Sequence, residues 1–377
     1  MSIPSVLDLT AELIRRSSVT PDDAGCQARL VELLSAAGFE CHALRFGDTD
    51  NLWATHGRGA PVLALVGHTD VVPPGPLAQW TTPPFEPSLR DGHLYGRGSA
   101  DMKSGVAALC LAAIDHVREQ PDHPGTLAIL MTSDEEGPAR DGVVKVMEWL
   151  GERGIQLDHA LIGEPSSSTR LGDRVRIGRR GSMHCYLTIK GVQGHVAYPE
   201  LARNPIHQFA PALRDLVAMR WDEGNAHFPP TGFQIYEMRA GTGANNVIPG
   251  ELQLNFNFRY GTASSEHSLR NQVEAILKAH DLEYELRTRV ASAPFLTEKP
   301  QLIAAVQDSI RSVLGLDTVL DTGGGTSDGR FIAPTGAAVV ELGPINASIH
   351  KVDECVPIAD LEALRAVYRG VIERVLV

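Results

Sequence analysis

The chain has few cysteines and no long apolar run. Its five cysteines are an odd number, and no two of them form a Cys-x-x-Cys pair. This usage favours reduced structural thiols over a disulfide framework or a thiolate zinc site. The most apolar run, 106–114, is far shorter than the roughly 18 residues that a membrane span needs. Residues 1–20 lack the basic start and apolar stretch of a signal peptide and predict an amphipathic helix instead. We therefore expect a cytoplasmic protein.

Positive charge is also scarce. Lys and Arg number 34 against 46 Asp and Glu, which gives a formal net charge of -12. This balance makes nucleic acid and anionic membranes unexpected partners. With 43% hydrophobic and 21% charged residues the composition is that of a globular protein. Because 377 residues are more than one hydrophobic core usually serves, two domains are expected.

The sequence contains neither a Gly-x-Ser-x-Gly motif nor a known motif in which a histidine activates a cysteine nucleophile. It has instead a repeated arrangement in which an apolar, strand-like stretch leads into His, Asp or Glu. Stretches at 63–67, 127–131, 160–163 and 338–342 are followed by His68, by Glu135 and Glu136, by Glu164 and by His350. In an open α/β sheet, ligands bind outside the carboxyl ends of the strands. We expect these residues to share one polar site, and a two-metal hydrolase is the function that the pattern favours.

Strand-like and helix-like patterns alternate up to about residue 176, which predicts βαβ units and a parallel sheet. From residue 179 the order of patterns is β-α-β-β-α-β, that of a ferredoxin-like unit. The earlier pattern returns after about residue 294. We predict an α/β catalytic domain whose mostly parallel sheet is flanked by helices, built from 1–178 and 294–377. An inserted ferredoxin-like α+β domain at 179–293 would interrupt it.

Two carboxylates are placed to complete a site around His68. Asp70 follows two positions later, so it shares a strand face with His68 if the strand continues, and it could accept an imidazole N–H. Asp101 lies in the glycine-rich segment 96–105, just before an Ala- and Leu-rich helix at 104–117. The segment matches neither GxGxxG after a strand nor GxxxxGK[ST], which argues against a phosphate-binding loop. A carboxylate there has two oxygens and can bridge two cations.

The adjacent carboxylates Glu135 and Glu136 can take two different chemical roles. Neighbouring side chains on an irregular loop point in different directions, so one can bind metal while the other takes a proton from the attacking water. Each feature alone also has an ordinary structural explanation, such as an acidic loop before a helix or a proline that ends the strand after Glu164. Together they favour a metal site. Ligands of His, Asp and Glu without cysteine suit zinc, with cobalt or manganese as substitutes.

Four ordered motifs resemble the dinuclear zinc aminoacylase and carboxypeptidase-like metallohydrolases over nearly the full length. They are GHTDVVP at 67–73, GRGSADMKSG at 96–105, SDEEG at 133–137 and GEP at 163–165. The resemblance implies two zinc ions per subunit, with cobalt as a substitute. His68 and Glu164 would bind one ion, Glu136 and His350 the other, and Asp101 would bridge them.

The same resemblance implies roles beside the metal ligands. Glu135 would be the general base and Asp70 would support His68. The insert would mediate homodimerisation, and His195 would reach the site of the partner subunit and stabilise the developing oxyanion. Without the resemblance, an ordinary surface histidine is the default interpretation of His195, and its place beside two glycines in the insert favours a functional role.

Three further segments indicate the kind of substrate. GTGANNVIP at 241–249, TGGGTSDGRF at 322–331 and NASIHKVDE at 346–354 resemble family members that hydrolyse small amides with several carboxylates. Arginine suits such substrates because it binds carboxylates through paired hydrogen bonds. The implied substrate-binding residues are Arg179, Asn245, Arg259, Thr326 and Asn346. Arg179 also fits a hinge residue in the basic run 174–180. Two alternatives stay open: a related deacylase with a different acyl group, and a non-catalytic dimeric module that keeps the fold.

Overall fold

The computed structural model describes residues 3–377, and these form two compact units. The first comprises residues 3–178, 296–321 and 327–377, and the second comprises residues 179–295 and 322–326. Each unit has a hydrophobic core of its own. None of the helices in the described residues is both long and apolar enough to cross a membrane.

A large sheet forms the centre of the first unit. Its eight strands lie in the order Glu40–Phe46, Thr49–Arg58, Gly125–Thr132, Val62–His68, His159–Ile162, Ala338–Glu341, Arg174–Arg176 and Val319–Asp321. The four strands from Gly125–Thr132 to Ala338–Glu341 in this order are parallel to one another. Nearly all of their residues are buried, as expected where helices cover both faces of a sheet.

Helices and short elements complete the first unit. Its helices are Val6–Ile14, Cys26–Ala36, Ser104–Glu119, Val143–Glu152, Pro300–Leu314, Gly329–Ile332 and Ile358–Val375. Its short elements are the three-stranded sheet of Cys355–Pro357, His93–Tyr95 and Ser88–Arg90, the helical turn Ser99–Lys103, and the 3-10 turns Leu77–Gln79, Ala333–Thr335 and Asn346–Ser348. The helix Ser104–Glu119 is apolar around most of its circumference because it packs between the sheet and the C-terminal helix.

The second unit has the strand order of a ferredoxin-like fold. Its antiparallel sheet runs Gly232–Ala240, Glu251–Tyr260, Gly181–Lys190 and Tyr284–Ser292, with helices Pro205–Ala218 and Glu266–Ala279. Alternation in its strands places residues such as Met183, Cys185 and Leu187 in the core. Asn204 caps the first helix by accepting the backbone N–H of Ile206 at 3.0 Å. Its shorter elements are the strands Gly194–His195 and Val247–Ile248 and the 3-10 turn Pro199–Leu201. The strands Gly178–Arg179 and Phe295–Leu296 lie where the chain passes from one unit to the other.

The predicted α/β fold class is confirmed, including the mostly parallel centre of the large sheet and the β-α-β-β-α-β order of the smaller unit. The outer strands of the large sheet differ from the simplest βαβ expectation. Thr49–Arg58 runs antiparallel to Gly125–Thr132, and a two-residue turn joins it to Glu40–Phe46 as a hairpin. The predicted N-terminal helix is present as Val6–Ile14.

Candidate active site

The parallel strands bring the predicted ligands to one edge of the large sheet. His68 is the last residue of its strand. Glu135 and Glu136 follow the strand that ends at Thr132, and Glu164 follows the strand that ends at Ile162. Because these strands are parallel, their carboxyl ends lie at the same edge, as the sequence pattern predicts.

Asp101 lies between two histidines, with one carboxylate oxygen toward each. Its Oδ1 is 3.2 Å from Nε2 of His68, and its Oδ2 is 3.4 Å from Nε2 of His350. The same nitrogen of His68 is 3.6 Å from Glu164, and that of His350 is 2.9 Å from Glu136. The five side chains named as ligands therefore form one continuous cluster. His350 is about half exposed and the other four side chains are nearly buried, so the cluster opens on the side of His350.

Within residues 3–377, two groups of three side chains are close enough to hold a metal ion. One ligand atom each from His68, Asp101 and Glu136 lies within 4.8 Å of the others, and the same is true of His68, Glu135 and Glu164. The second group includes Glu135, the predicted base. Geometry alone thus admits Glu135 as a ligand as well as a proton acceptor.

Burial and opposite charge act together on the pKa values of the cluster. Burial acts to lower the pKa of His68, but carboxylates such as Asp101 and Glu164 raise it well above its usual value. Asp101 and Glu136 raise the pKa of His350 to about 10, with burial opposing them. Burial acts to raise the pKa of Asp101, but the two histidines hold it below its usual range. The carboxylates of the cluster therefore stabilise a neighbouring positive charge, here that of the protonated histidines.

Glu135 lies among further acidic groups. Burial first, and then the charges of Glu164 and Asp328, raise its pKa well above the usual value. A carboxylate with a raised pKa is a stronger proton acceptor near neutral pH. Asp328, which was not among the site residues expected from the sequence, is 4% exposed, and burial raises its pKa to about 7. The signal for it in the sequence is its place three residues after the glycine-rich segment 323–325.

Asp70 supports the site differently from the sequence-based expectation. Nδ1 of His68 is 2.9 Å from the backbone carbonyl oxygen of Asp70 but 3.6 Å from its carboxylate. The carboxylate instead accepts the backbone N–H groups of Glu136 at 3.1 Å and Glu135 at 3.4 Å. The strand ends at His68, and beyond it the backbone carbonyl of Asp70, not its side chain, reaches the imidazole. Asp70 thus fixes both the ring of His68 and the loop that carries the two glutamates.

Asn346 also belongs to the first unit. It is partly buried and opens the 3-10 turn Asn346–Ser348, four residues before His350. Its backbone N–H donates to the carbonyl oxygen of Ser167 at 2.9 Å, which fixes the start of the turn.

The remaining candidates lie in the second unit. Arg179 is 7% exposed, and its guanidinium donates to the carbonyl oxygens of Gly323 at 3.1 Å and Gly325 at 3.4 Å. It therefore holds the glycine-rich segment next to Thr326, which is partly buried. Burial, followed by the charge of Arg180, lowers the pKa of Arg259.

His195 and Asn245 occur on the two sides of one short ladder in the second unit. His195 pairs with Val247, two residues after Asn245, and both candidates are exposed. Nδ1 of His195 accepts the backbone N–H of Ala197 at 3.1 Å. This hydrogen bond fixes the ring tautomer so that Nε2 carries a proton when the ring is neutral. Nε2 is then a donor, as oxyanion stabilisation requires.

Comparisons with known proteins extend these observations. A model described as Peptidase family M20/M25/M40 matches residues 64–374. A succinyl-diaminopimelate desuccinylase from Thioalkalivibrio sulfidiphilus is 58% identical over 371 residues, covering 98% of this chain and 99% of the relative. One of the same name from Methylococcus capsulatus is 56% identical over 370 residues, covering 98% of each.

Solved structures share the fold. An aminopeptidase from Bacillus cereus superposes with a TM-score of 0.79 at 19% identity, covering 100% of this chain and 99% of that chain. A dinuclear metal-binding peptidase of the M20 family from Bacillus subtilis gives a TM-score of 0.73 at 16% identity, covering 99% and 98%. With a family model that matches most of its length and relatives that align almost end to end, the chain belongs to peptidase family M20/M25/M40.

Proposed function

We propose that the protein hydrolyses the amide bond of N-succinyl-LL-2,6-diaminopimelate to succinate and LL-2,6-diaminopimelate, within lysine and diaminopimelate biosynthesis in the cytoplasm. Relatives more than half identical over nearly the full length carry the name of this activity, and the family is one of hydrolases. A related deacylase, such as one acting on N-acetylornithine, is the alternative with the same metal ligands. A non-catalytic module disagrees with a site in which the proposed base and every proposed ligand are present.

The observation that carries the proposal is the position of Asp101 between two histidines. Each of its oxygens faces a different imidazole, at 3.2 and 3.4 Å, as a carboxylate that bridges two cations must. We propose two Zn²⁺ per subunit, with Co²⁺ as a substitute. Asp101, Glu136 and Glu164 with His68 and His350 supply only oxygen and nitrogen donors, which suit these ions. Metal binding requires neutral imidazoles, and once both histidines give up their protons the three carboxylates leave negative charge that dications would balance.

Bound at this cluster, the metal ions would polarise the amide carbonyl and lower the pKa of a water molecule. The protein's own groups perform the remaining work. Glu135 takes a proton from water as its oxygen attacks the carbonyl carbon, and its raised pKa suits that step. Glu135 then returns the proton to the amide nitrogen as the C–N bond breaks, which releases the amine and leaves succinate. Asp70 holds the backbone of the Glu135 loop during both transfers.

The substrate and dimer roles are proposed from the resemblance. Residues 179–293 would form the dimerisation domain, with 1–178 and 294–377 as the catalytic domain. His195 would donate to the developing oxyanion in the partner's site, and Asn245 would come from the same exposed ladder. The proposed contacts of the substrate's carboxylates and amide are Arg179, Arg259, Thr326 and Asn346.

The test compares two substrates under matched conditions. Purified protein is supplied with Zn²⁺ and assayed on N-succinyl-LL-2,6-diaminopimelate and on N-acetylornithine, with and without a chelator. We expect hydrolysis of the succinyl compound alone, its loss on chelation and its return with Zn²⁺. Hydrolysis of the acetyl compound alone would move the protein to the related deacylases. Activity that survives complete metal removal would overturn the two-metal mechanism.

A further inference from the structure

A buried carboxylate outside the proposed ligand set holds the segment that carries Asp101. Glu354 has no exposed surface. Its Oε1 accepts the backbone N–H groups of Ala100 and Asp101, both at 2.9 Å. Its Oε2 accepts the backbone N–H of Gly98 at 2.9 Å and the guanidinium of Arg97 at 2.6 Å. All four donors belong to the short segment 97–101.

This arrangement requires a carboxylate. Each oxygen of Glu354 receives two hydrogen bonds, so an amide in its place would turn an NH₂ group toward two donors. The donors include Arg97, which is 2% exposed and would keep an unpaired charge if Glu354 became neutral. Gly98 adopts φ +81, and Asp101 and Met102 depart from helical φ and ψ inside the turn Ser99–Lys103, so the segment follows an irregular path that regular secondary structure does not stabilise.

Glu354 also lies in the segment that carries His350. Its backbone carbonyl oxygen accepts the N–H of Gly96 at 3.0 Å. Ser348 closes the intervening loop, because its hydroxyl donates to the carbonyl oxygen of Cys355 at 2.8 Å and accepts that residue's N–H at 3.1 Å. One residue thus ties the loop of His350 to the segment of Asp101.

We propose that Glu354 is a positioning residue that sets the spacing between Asp101 and His350 and thereby the affinity of the site for its second metal ion. It reaches neither the ion nor the substrate and acts through the backbone of Asp101. The proposal rests on the two-metal site proposed above. It explains why a carboxylate stands four residues after His350, where the motif alone assigns it no role.

The test is the metal affinity of Glu354→Gln, measured by competition with a chromophoric chelator and by the visible spectrum of the Co²⁺-loaded protein. Positions that orient metal ligands typically change affinity by about 10- to 100-fold, and we expect a loss in this range for at least one ion. The kcat of the variant should rise toward the wild-type value when metal is added in excess. Its KM should change little. Asp353→Asn is the matched control. That neighbouring carboxylate binds Thr81 at 2.9 Å, away from the segment, so its loss should leave metal affinity within about twofold of wild type, in the range of a surface substitution.

The outcomes separate the inference from the proposed function. If folded Glu354→Gln binds both ions as tightly as wild type, with the same Co²⁺ spectrum, the positioning role is wrong even if its melting temperature falls. If Glu354→Gln does not fold, Glu354→Asp replaces it, since it keeps the charge and shortens the reach. Weakened binding of an ion in that variant supports the role, and wild-type affinity overturns it. A wild-type protein that binds no metal would overturn the proposed function and this inference with it.

Discussion

Glu135 and Glu136 are adjacent and chemically identical, yet the proposed mechanism predicts that their loss has different consequences. Oε1 of Glu136 is 2.9 Å from Nε2 of His350, and Glu136 is a proposed metal ligand. Glu135 lies toward Glu164 and Asp328, whose charges help to raise its pKa. The substitutions Glu135→Gln and Glu136→Gln keep side-chain size and remove one charge each. Each therefore serves as the control for the other.

The expected magnitudes follow from the two roles. A general base typically contributes 10²- to 10⁴-fold to rate, so Glu135→Gln should lower kcat by about that factor. The factor corresponds to a loss of roughly 3–5 kcal/mol of transition-state stabilisation. Its KM should change little and both metal ions should stay bound. Glu136→Gln should lose a metal ion on desalting, and added Zn²⁺ should restore part of its activity.

The assay is metal content by elemental analysis after desalting, beside kcat and KM on the succinyl substrate, with circular dichroism to verify folding. The reasoning is refuted if Glu135→Gln keeps more than about a tenth of wild-type kcat, well above what loss of a general base leaves. It is refuted in another way if Glu135→Gln loses an ion. Glu135 would then be a ligand, as its group with His68 and Glu164 permits.

Three further predictions test other parts of the account. Asp70→Asn should lower kcat by about 10- to 100-fold because it loosens the backbone of the glutamate loop; unchanged kcat in a metal-loaded sample would contradict the role of Asp70. Co-expressed His195→Ala and Glu135→Gln subunits should recover roughly a quarter of wild-type activity if His195 acts in the partner's site of a symmetric dimer; no recovery in verified mixed dimers would place it elsewhere. Burial and then the charge of His123 lower the pKa of His116 to about 4 in the fold, from a usual value of 6.5, so the unfolded chain takes up a proton first as pH falls. As the pH falls from 6.5 to 4, the free energy of unfolding of the metal-free protein should therefore decrease, and His116 should contribute at most about 3 kcal/mol to that decrease. In His116→Gln this contribution to the pH dependence should be absent, and an unchanged pH dependence would contradict the assignment.

The large sheet and its ligand-bearing edge could be predicted because the pattern there is local. Apolar runs of strand length each end near a His or Glu, and parallel strands place their carboxyl ends together. The order of patterns from residue 179 likewise predicted the β-α-β-β-α-β succession of the smaller unit, in which Met183 and Cys185 lie in the core.

What the sequence did not reveal depends on contacts between distant segments or on the path of the backbone. Asp70 was expected to bind His68 through its side chain, but its backbone carbonyl oxygen lies nearer to the ring. Glu354 is 253 residues from Asp101 in the chain yet accepts its backbone N–H. Asp328 was not expected in the site because burial cannot be read from a glycine-rich segment. Such features require the fold before they can be seen.

The most direct test of the central claim is a crystal structure of the zinc-loaded protein with anomalous diffraction measured at the zinc absorption edge. The two-metal proposal predicts two anomalous peaks about 3.5–4 Å apart. One oxygen of Asp101 should bind each ion, with His68 and Glu164 on one ion and Glu136 and His350 on the other. A single peak, or two peaks that Asp101 does not bridge, would contradict it.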